Sequence, residues 1–210
     1  MTVLNKIAFF QDRRDEIPNQ EAARELARTR NATDIREMVE NLANKEPNIQ
    51  SDCLKVLYEL GYLAPELIAT YVDDFLKLLS HRNNRMVWGG MIALSTIASL
   101  QAGRIFPHID KIKRTMDAGT LITNDAGIKT LADVAAQRAE YQKVITPFLL
   151  ERLAAARPVD APRIAENILH AVGPSQKTEF IRILEEWINS APASRQVRLK
   201  KVLKQAIRIP

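Results

Sequence analysis

The sequence predicts an all-α protein built as a stack of helix pairs, and three observations predict it. Apolar residues recur at three- and four-residue spacing through nearly the whole chain, β-branched alternation is missing, and a leucine set between two small residues returns every 37 or 38 residues. At 210 residues the chain can bury a substantial core as one continuous stack. With 46% hydrophobic and 26% charged residues and only 7 glycines, it has the balance of a folded helical chain, not a disordered one.

Taken in order, residues 1–32 are expected to form an N-terminal capping unit, because the segment around Leu26 lacks a full-length unit. Regular repeats follow over 33–190. Leu57, Leu94, Leu131 and Leu169 occupy equivalent positions, 37, 37 and 38 residues apart. Four residues before them stand Cys53, Gly90, Gly127 and Ala165, and four after stand Gly61, Ala98, Ala135 and Gly173. Three residues after each anchor comes Leu60, Ile97, Val134 or Val172. On a helix these positions share a face, so a neighbouring helix can approach the small residues while the leucine fills the gap between them.

Between the anchor helices run other apolar stripes: Ile35, Met38, Val39 and Leu42; Ile68, Val72, Phe75, Leu76 and Leu79; Ile105, Ile109, Ile112 and Met116; Val144, Phe148, Leu149 and Leu153. Each is expected to pair with the helix that follows. Pro47, Pro65, Pro107, Pro147, Pro158, Pro162 and Pro174 fall where one periodic segment gives way to the next, which predicts short connections and about a dozen helices. Residues 191–210 are expected to form a basic C-terminal capping helix, its Val197, Leu199, Val202, Leu203 and Ile207 closing the core.

A two-helix unit of this length cannot bury its own apolar face, so such units stack and share a core. In these features, and most closely over Asn83-Asn84-Arg85-Met86-Val87-Trp88-Gly89-Gly90-Met91-Ile92-Ala93-Leu94, the chain resembles the HEAT and armadillo class of helical repeat. The resemblance implies a right-handed α-α superhelix (solenoid) of about six HEAT-like helix pairs, one domain over 1–210, with atypical end units. It implies no ligand, because helical repeats host many unrelated activities.

Chemistry leaves few marks. His81, His108 and His170 show no metal-ligand spacing, no glycine belongs to a phosphate-binding loop, and the pairs Asp73-Asp74 and Glu185-Glu186 point about 100° apart on a helix. Neither a catalytic residue, a metal nor a cofactor is expected. Cys53 sits at a small-residue packing position, which predicts a buried thiol. The uncharged run Met86–Gly103 carries two adjacent glycines and several polar residues and fits the repeat, so it reads as a buried helix and no transmembrane segment is expected. With one cysteine and no export signal, the chain reads as cytoplasmic.

The resemblance places the second helix of each pair on a concave face, where the column flanking the anchors would be exposed. Six residues before the anchors stand Ser51, Trp88, Asp125 and Arg163; two before stand Lys55, Ile92, Lys129 and Asn167; two after stand Glu59, Thr96, Asp133 and Ala171. Three bases balance three acids there, whereas a groove for phosphate backbones should be basic throughout. The column therefore predicts a non-enzymatic scaffold or adaptor that binds a protein or peptide, with Trp88 as apolar anchor, Asp125 and Arg163 as flanking charges, and Lys55 and Lys129 as rim charges. The plainer reading of Trp88 is packing between units.

A second reading rests on charge. Of 30 basic residues, Arg195, Arg198, Lys200, Lys201, Lys204 and Arg208 lie near the C-terminus with no acid among them, leaving 24 bases against 25 acids elsewhere. That helix would bind nucleic acid or an acidic partner. A third reading, a HEAT-like DNA glycosylase acting on alkylated bases, would use Trp88, Asp125 and Arg163, but the column lacks the positive charge this needs.

Overall fold

The computed structural model describes residues 2–209, which form twelve α-helices and seven short 3-10 turns and contain no strand. The chain divides into two compact units, 1–127 and 128–210.

In the first unit, two 3-10 turns (Val3–Lys6 and Phe9–Gln11) precede α1 (Ile17–Thr29). Next come α2 (Ala32–Glu40) and α3 (Pro47–Leu63), then α4 (Val72–Leu78) and α5 (Asn84–Ile97). The short α6 (Ala102–Ile105) and α7 (Ile109–Asp117) lead into α8 (Leu121–Ala135), within which the unit ends. Helices α1, α3 and α5 pack side by side, α2 lies against α3 and α4 against α5. Each pair thus contributes one helix to each of two layers, as the alternating stripes predict. Ahead of α1 stand only the two 3-10 turns.

The second unit contains α9 (Ala139–Ala154), α10 (Ala161–Ile168), α11 (Pro174–Ser190) and α12 (Ala193–Ala206). Here α9 packs on α10 and α11, and α12 on α10 and α11.

Local chemistry sets the boundaries. Asn31 and Asn83 cap α2 and α5 by accepting from backbone N–H groups of the first turn, and Pro47, Pro162 and Pro174 open α3, α10 and α11 where a missing N–H costs nothing. The small positions work as close-approach points: a Cβ on Gly90 would lie 2.8 Å from Leu78 Cβ, and one on Gly127 would lie 2.5 Å from Met116 Cγ. Leu57, Leu94 and Leu131 are fully buried.

Four expectations need correction. Pro147 does not separate helices but lies inside α9, where it is exposed, so its ring meets water and one lost i→i−4 bond is tolerated. Leu169 is only half-buried: α10 tightens into the 3-10 turn Leu169–Ala171, and Ile168 takes the core position instead. Val144 is 49% exposed, because the buried face of α9 runs through Tyr141, Ile145, Leu149 and Leu153, about 100° away. On α12 the core is closed by Leu199, Val202 and Ala206, while Val197 (70% exposed) falls off that face and Ile207 (57%) lies just past the helix end.

Candidate functional site

Lys55 is not a rim charge. It is 7% exposed, because α1 packs along α3 and the chain entering α1 brings Glu16 over it. Its Nζ lies 2.7 Å from a carboxylate oxygen of Glu16, 2.7 Å from one of Glu59, and 4.8 Å from the centre of the Tyr58 ring. Burial works against the ammonium charge, but hydrogen bonds to Glu16, Glu59 and Tyr58 more than offset it and hold the group protonated above the usual lysine range. Lys55 therefore positions its neighbours.

Through Tyr58, Lys55 adjoins an aromatic run. Tyr58 lies edge-on to Tyr62, with ring centres 6.4 Å apart, and tilted against Trp88 of α5 at 6.3 Å. Tyr58 is buried, Trp88 half-buried and Tyr62 58% exposed. Trp88 thus packs between successive pairs, as the plainer reading has it, yet keeps part of its ring accessible. The tyrosines did not stand out in the register, although their four-residue spacing puts both rings on one side of α3.

The other proposed contacts are held locally. Asp125 is half-buried near the start of α8. Lys129 is exposed and pairs with Asp133, one turn on. Arg163 is half-buried, its Nη2 2.9 Å from Asp160 Oδ1. Lys55 and Trp88 meet through Tyr58; on the two anchor helices that carry charges at the −2 and +2 positions, these pair with each other as Lys55–Glu59 and Lys129–Asp133.

At the C-terminus Arg198 is engaged twice by Glu166, at 2.9 and 2.6 Å, and Lys200 Nζ donates to Gln196 at 3.0 Å. Arg195 is half-buried. Lys201, Lys204 and Arg208 are exposed and have no ion-pair partner among the described residues. Cys53 is fully buried, and burial, with Asp52 and Glu37 nearby, pushes its thiol up to about 12. Among the described residues no group of three His, Cys, Asp or Glu side chains could hold a metal ion, and no helix is long and apolar enough to cross a membrane.

No family model matches the chain, and no curated protein matches it. Solved structures do. The chain is similar to an engineered protein solved by a structural genomics consortium, with a TM-score of 0.66 and 18% identity over 99% of this chain and 97% of that one. It is also similar to a designed armadillo repeat protein in complex with the peptide (KR)4, with a TM-score of 0.67 and 14% identity over 97% and 96% of the two chains. The chain has the HEAT/armadillo-type helical-repeat fold. The same repeat architecture relates it to Kap121p, with a TM-score of 0.68 and 16% identity, where it spans 99% of its own length but 23% of that larger protein.

Proposed function

We propose that this helical-repeat protein is a non-enzymatic scaffold that holds a peptide or an extended protein segment on the surface of its second helices. The observation that carries this reading is the aromatic run Trp88–Tyr58–Tyr62 across α3 and α5, partly exposed and braced by the buried Lys55. Rigid aromatic rings beside fixed charges offer a partner large contact area at little cost in side-chain entropy. Trp88 is the apolar anchor, with Asp125 of the same unit as a flanking charge; Lys55 moves to a bracing role. Structural neighbours lend support: one designed armadillo protein is in complex with (KR)4, and Kap121p has been solved bound to Ste12p.

The test is Trp88→Ala and Tyr62→Ala against a peptide selected from a display library on the wild-type protein. Both variants are expected to weaken binding by about tenfold or more while the melting temperature changes little for Tyr62→Ala. Unchanged affinity in both, with a large loss of stability in Trp88→Ala, would assign these rings to packing alone.

A second reading keeps the C-terminal helix as a nucleic-acid or acidic-partner surface, favoured by Lys201 and Lys204, which share one stripe of α12 with the exposed Val197, and by Arg208 in the turn just beyond it. Charge reversal at these three positions would then abolish salt-sensitive binding of a DNA or RNA oligonucleotide. Binding that survives reversal removes α12 from that role.

A further inference from the structure

The turns that open α3 and α5 are built alike. Asn44 and His81 stand one repeat length apart in sequence, as do Glu46 and Asn83, and Asn48 and Arg85. In the first turn the Asn44 N–H donates to the Asn41 carbonyl, Asn44 Oδ1 accepts from the Glu46 N–H at 2.9 Å, and Glu46 Oε1 accepts from the Asn48 N–H at 3.0 Å. In the second the His81 N–H donates to the Leu78 carbonyl, His81 Nδ1 accepts from the Asn83 N–H at 3.0 Å, and Asn83 Oδ1 accepts from the Arg85 N–H at 2.9 Å. The N-cap residues Glu46 and Asn83 share nearly one backbone conformation, with φ −86° in both and ψ 113° and 115°. Each turn is a ladder of two side-chain acceptors, each reaching two residues on, that leads the chain into the helix.

The first rung differs in chemistry between the two. An amide oxygen accepts at any pH, whereas an imidazole nitrogen accepts only while it carries no hydrogen. A backbone N–H can only donate, so its approach to Nδ1 requires the neutral ring with its hydrogen on Nε2. Protonation places a hydrogen on Nδ1 as well; two donors then face each other, and the Asn83 N–H loses its acceptor. Histidine is the side chain that ordinarily changes charge near neutral pH.

The surroundings offer the imidazolium little in exchange. His81 is half-buried in a groove that α4 lines with Asp74 and Lys77, which pair with each other at 3.1 Å. The preceding pair contributes Val39, Leu42, Ala43 and Gln50 to that groove, none of which titrates. On the turn itself Arg82 and Arg85 are exposed, and their charge opposes a further cation. Asp74 favours one, but Lys77 already engages it.

We infer that His81 is a pH-sensitive fastener for the start of α5: the rung it makes with Asn83 opens as the imidazole takes up a proton, while the matching rung at Asn44 stays closed. This goes beyond the peptide-binding reading and does not rest on it.

The experiment is an NMR titration of the full chain from about pH 8 to about pH 5. It reads the His81 ring nitrogens and the exchange of the Glu46 and Asn83 amides with solvent, corrected for the intrinsic dependence of exchange on pH. At the upper end the ring is expected to carry its hydrogen on Nε2. Protection of the Asn83 amide should then fall about tenfold in step with protonation of the ring, while that of Glu46 stays level. His81→Asn installs the residue of the matching turn and should hold Asn83 protection level across the range. His81→Ala, which has no acceptor, should start about tenfold lower and stay there. Asn83 protection that stays level while the wild-type ring protonates overturns the proposal, as does an equal fall in His81→Asn. So does wild-type protection in His81→Ala, or a neutral ring with its hydrogen on Nδ1.

Discussion

His170 Nε2 lies 2.8 Å from one carboxylate oxygen of Asp133, and Lys129 Nζ lies 2.5 Å from the other. Asp133 and His170 are 37 residues apart in sequence, about one repeat length, so the contact ties residues that follow the anchors of successive helix pairs, two after Leu131 and one after Leu169. Burial raises the Asp133 carboxyl, but His170 and Lys129 more than offset it and hold the group below the ordinary aspartate range. A depressed folded-state value stabilises the fold above the unfolded-state pKa, and that contribution is lost as the pH falls through the folded value. Asp133→Asn should therefore cost about 1 kcal/mol near neutral pH, with the gap to wild type closing below about pH 4. Thermal melts of both proteins between pH 3 and pH 8 check it; a gap that is constant over that range would show that ionisation of Asp133 plays no part.

The close approach at Gly90 makes an unusual substitution costly. In an open helix Gly→Ala gains about 1 kcal/mol, but here the new methyl would sit 2.8 Å from Leu78 Cβ and 3.3 Å from the Phe75 carbonyl oxygen. Gly90→Ala should destabilise the protein by about 1–3 kcal/mol, read from urea unfolding. A stabilised variant would mean that α4 can move away from α5 at no cost.

The four anchor leucines should not respond alike. Leu57→Ala empties a fully buried position and should cost about 2–5 kcal/mol, whereas Leu169→Ala, half-buried at the start of a 3-10 turn, should cost about half as much or less. Equal losses in chemical denaturation would place Leu169 in the core after all.

Cys53 should be silent towards thiol reagents in the native protein. Its thiol is fully buried and pushed up to about 12, so almost no thiolate is available near neutral pH. Labelling with a maleimide is expected only after denaturant is added, and rapid native labelling would reveal opening of α3 from its neighbours.

The periodic part of the fold was legible in the sequence. Leu57, Leu94 and Leu131, with a small residue one turn to either side, carry the packing rule in their own spacing, and the structure buries all three. The departures come from features that spacing does not encode. Leu169 turns aside because α10 ends in a tighter helix, and Pro147 reads as a break only if its ring faces packed neighbours, which an exposed position avoids. The candidate site was less legible. Lys55 is buried by Glu16, which precedes the regular repeats, and Arg198 is engaged by Glu166, 32 residues upstream, so no rule of register reaches either pair. Trp88 was found as a side chain, but its partners Tyr58 and Tyr62 belong to the preceding pair.

At the other end of the chain, Asp52 of α3 accepts from the Phe9 backbone N–H at 2.8 Å and from the Asn19 side chain at 2.9 Å, while Asn19 accepts from the Ala8 N–H at 2.9 Å. One carboxylate and one amide thus clip the opening 3-10 turns onto α1 and α3, where every later pair relies on a full helix. The same turns bury Val3, Ile7 and Ala8, so the clip also holds core side chains in place, and its loosening would carry them into water together with the Ala8 and Phe9 amides.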